Sequence, residues 1–244
     1  MNQNITIELV KTNGSTFTLT TKGQVVYTFE KLSGTHADFP YVLTSIKDRN
    51  NNTLTITYEN AYQSQFKRID EIIGTAGRKL KFYYHTQSDL IAKVDDPLGR
   101  DVDFIYNSNG YLSRYTNPKH NQTYYNYGTG LQKEMLMTIT LPKGNVITNT
   151  YEKKKLKSSK SNGNQPTQYN YSSGYKTTIT SAEGKTIETT YNNLGNPTKI
   201  EQASTTIDID YTDSNHKNYP TSVNYNGQNS SVSYDSKGNV LQRT

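Results

Sequence analysis

A tyrosine recurs along this chain at intervals of 20 to 26 residues. Regular recurrence at this spacing indicates a repeat architecture, because each unit is too small to bury a core alone and depends on its neighbours. Function is therefore expected to lie in the assembled surface or in a cavity that several units form. The recurring residues are Tyr58, Tyr84, Tyr106, Tyr127, Tyr151, Tyr171, Tyr191, Tyr211 and Tyr234.

Alternating apolar and polar residues precede the tyrosines. Leu54 and Ile56 lie four and two residues before Tyr58, Thr55 and Thr57 stand between them, and other units follow the same pattern. A period of two indicates a β-strand with the tyrosine and the apolar residues on one face. Seven residues before the tyrosine, five units carry a glycine, which favours a turn. These glycines are Gly77, Gly99, Gly144, Gly184 and Gly227.

A second, shorter apolar segment follows the tyrosine after a polar turn such as Asn107-Ser108-Asn109-Gly110. Leu112 and Tyr115 are three residues apart, so either a bulge intervenes or the two side chains point to opposite sides. The segment Asp96-Pro97-Leu98-Gly99 then favours a turn that returns the chain. Each repeat is therefore predicted to be a β-hairpin, and the predicted fold class is all-β.

These residues resemble a known repeat. The pattern Tyr-x-x-x-Gly-x-Leu-x-x-Ile, a turn of the type Asp-Pro-Leu-Gly-Arg, and alternation up to the next tyrosine resemble the YD repeat of the Rhs family. The resemblance covers about nine hairpin units over residues 41–244, with the last repeat expected to be truncated. Residues 1–40 resemble the strand-rich lead-in of family members. Wall-associated YD-repeat proteins of Gram-positive bacteria are the most similar group, beside toxin shells and teneurin-like repeats.

The resemblance implies tandem hairpins that form a long curled or spiralling β-sheet strip, part of a β-shell. It implies a non-enzymatic scaffold segment of a secreted or wall-associated Rhs-type polymorphic toxin, which encapsulates or delivers a C-terminal effector. Its partners would be the remaining repeats and the effector of a longer parent protein. The alternative is a carbohydrate-binding or cell-surface-binding adhesion module that uses the polar face of the repeats.

Patterns typical of catalysis or metal binding are weak. Asp48, Asn50, Asn52 and Glu59 match four positions of a calcium loop, but Thr53 stands where that loop requires glycine, so an Asn-rich turn is the preferred interpretation. The pair His36 and Asp38 has no Cys or Gly-x-Ser-x-Gly nucleophile to act with. The sequence therefore predicts no catalytic residue, no metal, no cofactor and no membrane span.

Basic residues outnumber acidic ones by 27 to 21, and one repeat concentrates part of this excess. A lysine run is typical of a solvated loop, and the alternative is that it holds an anionic wall polymer or nucleic acid electrostatically. Specific nucleic-acid binding is not expected, because the repeat already explains the tyrosines. The candidate polyanion contacts are Lys153, Lys154, Lys155, Lys157 and Lys160.

Overall fold

The structure is a computed structural model that describes residues 8–64, 66–172 and 174–244. Regular structure in these ranges is β-strand throughout, apart from one turn of 3-10 helix at Gly130–Gln132. The predicted all-β class is therefore confirmed. The chain divides into two compact units, Met1–Tyr124 and Tyr125–Thr244. No helix among the described residues is long and apolar enough to cross a membrane.

The first unit contains ten strands and the start of an eleventh, which spans the division between the units. The strands are β1 (Glu8–Asn13), β2 (Thr16–Thr20), β3 (Val26–Lys31), β4 (Tyr41–Lys47), β5 (Thr53–Asn60), β6 (Lys67–Ile73), β7 (Lys79–Tyr84), β8 (Ile91–Asp95), β9 (Asp101–Tyr106), β10 (Leu112–Thr116) and β11 (Gln122–Tyr127). Three of them, β1 to β3, lie in the predicted lead-in, whose boundary at residue 40 stays a prediction.

The second unit continues with eleven further strands. They are β12 (Leu136–Thr140), β13 (Val146–Glu152), β14 (Lys155–Ser161), β15 (Thr167–Ser172), β16 (Lys176–Thr180), β17 (Thr186–Tyr191), β18 (Pro197–Gln202), β19 (Thr205–Asp210), β20 (Ser222–Tyr225), β21 (Gln228–Tyr234) and β22 (Val240–Arg243). The recurring tyrosines fall on every second strand, from β5 to β21, except that Tyr211 directly follows β19. One repeat therefore corresponds to two strands.

Each strand pairs antiparallel with the next, from β1 to β11 and from β12 to β22. Apolar residues lie opposite one another across the strands: Ile56 faces Ile72, which faces Leu80. We call the side of the first unit's sheet that bears these three residues its apolar face. The polar face, on the other side, carries Glu71 and Lys81, which also face each other.

A bulge recurs opposite most of the recurring tyrosines, in the strand that follows, whereas Tyr171 faces Thr177 in regular register. Tyr106 faces Leu112 whereas Ile105 faces Arg114, so Ser113 is the extra residue. Because Tyr115 faces Phe104, Leu112 and Tyr115 lie on the same face despite their spacing of three. The bulge is therefore the correct one of the two alternatives for this spacing. The same irregularity occurs opposite Tyr58, Tyr84, Tyr151, Tyr191 and Tyr234.

One kind of five-residue turn recurs between the strands. At Asp96 to Arg100, the Asp96 N–H donates to the Arg100 carbonyl at 2.8 Å and the Gly99 N–H donates to the Asp96 carbonyl at 3.1 Å. The fourth residue is left-handed, with φ of 71° at Gly99, which is why glycine suits this place. Gly77, Gly144 and Gly184 occupy it elsewhere, and Asn51 and His120 also adopt it. Gly227 differs, since it forms a two-residue turn with Asn226.

Several of the recurring tyrosines donate hydrogen bonds from their hydroxyl groups to backbone carbonyls in, or just before, the preceding strand. Tyr58 donates to the Leu43 carbonyl at 2.7 Å, and Tyr84 donates to the Ile69 carbonyl at 2.6 Å. Tyr151 and Tyr234 make the equivalent bonds at 2.9 and 2.8 Å. Partial burial raises the pKa of Tyr58 and Tyr84 above the ordinary value, so each hydroxyl stays a donor.

Few side chains are buried among the described residues, because within each unit the strands contact mainly their neighbours in sequence. Among the described residues, Ile56 is the buried hydrophobic residue and Thr116 the buried polar one. Most other apolar residues of the strands are half-buried, and Leu54 and Leu80 are more than a third exposed. The apolar face is therefore still partly accessible to solvent or to a partner.

Candidate functional site

An open groove lies where β14 and β15 separate in the second unit. Among the described residues these strands pair at two positions, Ser158 with Gln168 and Ser159 with Thr167. If the ladder continued, Lys157 would face Tyr169 and Lys155 would face Tyr171. The ladder instead ends, and a groove of about 600 Å³ opens between these strand ends.

The groove combines basic, aromatic and neutral polar side chains. The Lys155 ammonium lies 5.0 Å from the centre of the Tyr171 ring, so these two side chains still meet across the gap. Tyr171 is 40% exposed, which leaves much of its surface available for contact. The lining is completed by Glu152, Lys153, Leu156, Lys157, Gln168, Tyr169, Asn170, Thr178 and Thr180.

The groove has an excess of positive charge. Of its three lysines, Lys157 is paired with Glu152, at 3.3 Å, and both side chains are more than half exposed, so the pair is weak. Lys153 and Lys155 form no ion pair among the described residues. Two of the predicted polyanion contacts, Lys154 and Lys160, are not among the lining residues.

Several lysines elsewhere on the sheet are paired with carboxylates of the same or a neighbouring strand, whereas Lys11, Lys31 and Lys47 form no ion pair among the described residues. Lys79 contacts Glu71 at 2.8 Å in the first unit, and Lys176 contacts Glu188 at 2.6 Å in the second. The hydrogen bond from Lys176 holds the pKa of Glu188 below its ordinary value. Further pairs of this kind are Lys81 with Asp70, Lys93 with Asp95 and Lys199 with Glu201. In the groove, Lys153 and Lys155 have no carboxylate partner of this kind among the described residues, and Lys157 has the exposed Glu152.

The turn that leads into the groove is strained. Glu152 faces Lys155, so Lys153 and Lys154 form a two-residue turn, with left-handed φ values of 50° and 65°. Side chains with a Cβ adopt this conformation at a cost of about 1–2 kcal/mol per residue. Asn226 and Gly227 make a two-residue turn of positive φ with residues suited to it. Two lysines thus occupy positions where local conformation favours Asn-Gly.

The remaining predicted candidates fall into ordinary structural roles. The Asp48 carboxylate accepts hydrogen bonds from the backbone of Asn50 and from the backbone and side chain of Asn52, and Glu59 instead pairs with Arg68 at 2.8 Å. The calcium-loop residues therefore form the Asn-rich turn that was the preferred interpretation.

The four histidines lie apart, as their spacing suggests. His36 Nδ1 accepts from the Asp38 backbone N–H at 3.2 Å, whereas a triad histidine donates from this atom to its carboxylate. The ring of His85 meets the edge of Tyr106, and His120 occupies a turn. No group of three or more His, Cys, Asp or Glu side chains in the described ranges is placed to hold a metal ion.

Two aromatic clusters were missed at the sequence level. The ring of His36 stacks on Phe66 at 4.9 Å, and the ring of His216 stacks on Tyr219 at 5.3 Å. Both histidines belong to long loops with the sequence His-x-x-aromatic-Pro, ending at Pro40 and Pro220. This motif occurs twice, 180 residues apart, and its repetition is the sequence signal that could have distinguished both loops from the regular turns.

No family model and no curated protein matches the sequence. Solved structures do resemble the fold. The crystal structure of TcdB2-TccC3 superimposes with a TM-score of 0.57 and 12% identity, over 99% of this chain and 14% of that one. The crystal structure of TcdB2-TccC3-Cdc42 gives a TM-score of 0.52 and 11% identity, over 93% of this chain and 13% of that one. This chain therefore spans about one seventh of the length of these structures. At such identity the likeness establishes the fold, and the chain accordingly has the fold of the YD-repeat (Rhs) shell proteins.

Proposed function

We propose that this chain is a non-enzymatic scaffold segment of a YD-repeat shell, which holds a polypeptide cargo. The observation that carries the proposal is the half-exposed apolar face. Ile56 is the buried hydrophobic residue of the described chain, and Leu80 on the same face is 39% exposed. An apolar surface of this kind is stabilised when other repeats or a cargo cover it.

The fold supports this role, because the similar crystal structures contain TcdB2-TccC3 assemblies and one of them also contains Cdc42. For this chain we infer that the partners are further repeats and a C-terminal effector of a longer parent protein. We further propose, from the resemblance of the repeat sequence, that the protein is a secreted or wall-associated polymorphic toxin that acts at the cell surface or outside the cell. Membership of the Rhs family is part of this proposal.

The scaffold role predicts that the apolar face, and not the polar face, contacts unfolded polypeptide. The chain has no cysteine, so a single introduced cysteine can carry a photo-crosslinker at one chosen position. Leu80→Cys places it on the apolar face, and Lys79→Cys places it one residue away on the polar face. We expect the label at position 80 to capture reduced, carboxymethylated lactalbumin several times more efficiently than the label at position 79.

Native lactalbumin is the control for non-specific binding, since it presents little apolar surface. Equal capture at positions 79 and 80, or capture of the native protein as efficient as that of the unfolded one, contradicts the proposal. Circular dichroism of both variants before labelling shows whether the sheet is intact.

A second candidate function is binding of carbohydrate or a cell surface through the polar side chains of the repeats. The groove between β14 and β15 is the observation that favours it, because its Lys153 and Lys155 have no carboxylate partner among the described residues, whereas Lys176 and Lys199 on nearby strands do. A glycan array with the purified chain tests this function in general. Specific, saturable binding supports this function. If no glycan binds, the scaffold role is the one candidate function that remains.

A further inference from the structure

We propose that the groove between β14 and β15 binds an acidic oligosaccharide, with its anionic group on Lys153 and Lys155 and a sugar ring stacked on Tyr171. This proposal rests on the second candidate function and names its site and ligand class. It is independent of the cargo-holding role, which uses the apolar face.

The size of the groove fits a short oligosaccharide. Ligand pockets are commonly about 300–1,000 Å³, and this groove has about 600 Å³ and opens to solvent. An open groove accepts part of a polymer whose ends continue into solution. The separation of β14 and β15 is what creates the space, since a continued ladder would bring the two strands to about 4.8 Å.

The lining provides the three kinds of contact that an acidic sugar needs. The exposed ring of Tyr171 offers a flat surface for the C–H face of a pyranose ring. Gln168 and Asn170 also line the groove and carry amide donors and acceptors, but alternation along β15 places them on the opposite face of the sheet from Tyr171, so they contact only a part of the ligand that enters the gap between the strands. The ammonium groups of Lys153 and Lys155 offer charge-assisted hydrogen bonds to a carboxylate, sulfate or phosphate group.

Nucleic acid fits the same surface less well. A single strand requires a basic groove that follows several phosphates, with aromatic residues for successive bases. Here the basic surface ends at β16, because Lys176 is paired with Glu188 and, further along, Lys199 is paired with Glu201. The neutral amide and hydroxyl groups of the lining suit a ligand rich in hydroxyls.

The strained turn allows binding and stability to be tested separately. Lys153 and Lys154 adopt left-handed conformations that Asn and Gly adopt at lower cost, as His120 and Ala203 do in other turns. Replacing both by the residues of the Asn226–Gly227 turn therefore separates the two roles. The variant Lys153→Asn/Lys154→Gly is expected to unfold at a higher temperature and yet to bind more weakly.

The test is isothermal titration calorimetry with the hexamer of galacturonic acid at low ionic strength. We expect saturable binding that weakens with added salt, as for exposed charges. We expect the dissociation constant to rise about tenfold for Lys153→Asn/Lys154→Gly and for Lys155→Gln, the loss of one charge-assisted contact each. Tyr171→Leu, which keeps an apolar side chain without a ring, should weaken binding by a similar factor. Lys143→Gln, in the turn between β12 and β13, is the matched control and should leave binding unchanged.

The comparison ligands decide between the remaining outcomes. The neutral hexamer of N-acetylglucosamine should bind far more weakly, and equal binding contradicts recognition of charge. Tighter binding of a twelve-nucleotide oligothymidylate assigns the groove to nucleic acid and overturns the proposal. Binding of the acidic hexamer that no groove variant alters leaves carbohydrate binding intact but places it elsewhere. No binding of either sugar hexamer overturns this proposal, and an empty glycan array would remove the second candidate function as well.

Discussion

At the scale of residues, tyrosines that look alike in sequence have different roles in the structure. Tyr58 and Tyr84 donate from their hydroxyl groups to backbone carbonyls of the preceding strand. Tyr171 stands in the same sequence register but lies exposed in the groove beside Lys155. The recurrence therefore marks the position of a residue in the repeat, whereas the local separation of strands decides what that residue does.

Removing one anchoring hydroxyl should destabilise the fold measurably. Tyr84→Phe deletes the bond to the Ile69 carbonyl and leaves that carbonyl partly buried without its donor. We expect a loss of about 0.5–1.5 kcal/mol in the free energy of unfolding, measured by urea titration. Tyr83→Phe is the matched control, because Tyr83 is 40% exposed and its ring faces Lys93. Equal losses of stability for the two substitutions would show that the hydrogen bond from the Tyr84 hydroxyl does not stabilise the fold.

Turn carboxylates should make stability depend on pH in the acid range. Hydrogen bonds from Asn52 and Asn239 hold the pKa of Asp48 and Asp235 below the ordinary value of 3.8. A pKa that is lower in the folded state means that each carboxylate stabilises the fold above its unfolded-state pKa. This contribution is lost as the pH falls through the folded-state pKa. We therefore expect the urea midpoint to fall as the pH is lowered below about 4.

The double variant Asp48→Asn/Asp235→Asn tests whether these two groups are responsible. Asn107 makes the same two backbone hydrogen bonds with its amide oxygen, so the turns should persist in the variant. Its midpoint should vary less between pH 5 and pH 3 than that of the parent chain, a range chosen around the ordinary Asp pKa of about 3.9. Identical pH profiles would assign the acid sensitivity to other groups.

At the scale of elements, the five-residue turn and the bulge set the geometry of each hairpin. The turn requires a left-handed fourth residue, and the bulge brings residues three apart onto one face. Neither device depends on a contact outside the hairpin and its neighbouring strand. Successive hairpins can therefore be alike in geometry although their sequences differ.

The left-handed position predicts that two substitutions in the first unit change the free energy of unfolding in opposite directions. Gly99→Ala should destabilise by about 1 kcal/mol, since φ is 71° and no atom lies within 4 Å of the added Cβ, so the cost is conformational alone. His120→Gly, at φ of 60°, should stabilise by up to about 1 kcal/mol. Urea unfolding of the two variants measures both changes, and effects of the same sign would contradict this explanation.

Local patterns predicted the strands and turns, because both depend on residues close in the chain. The alternation around Leu54, Ile56 and Tyr58 identified a strand, and Asp96-Pro97-Leu98-Gly99 identified a turn. The choice between a bulge and opposite faces for Leu112 stayed open, since it depends on the register with the partner strand. The groove could not be predicted for the same reason: the lysine run was visible, but the separation of β14 from β15 is a property of pairing.

At the scale of the whole molecule, stability comes from many local contacts rather than from one deep core. Each strand contacts its neighbours in sequence, and few side chains among the described residues are fully buried. The denaturant slope of unfolding scales with the surface exposed on unfolding. We therefore expect a smaller urea m-value than for a two-layer protein of 244 residues. A cargo or partner that covers the apolar face should raise this value, and an m-value already at the level of a two-layer protein would contradict this expectation.

The turn described at Asp96 also bears on how such proteins diverge. Its first position is Asp at 48, 96 and 235, Asn at 107, 117 and 192, Thr at 21, Ser at 181, Gly at 74 and Leu at 141, and the backbone closes in the same way each time. Residues at most positions of a repeat can therefore be substituted while the backbone geometry of the repeat is retained. This tolerance explains how 12% identity accompanies coverage of 99% of the chain in the likeness to TcdB2-TccC3. Distant relatives of this chain should be sought through the spacing of tyrosines and turns, because this spacing is retained when residue identities change.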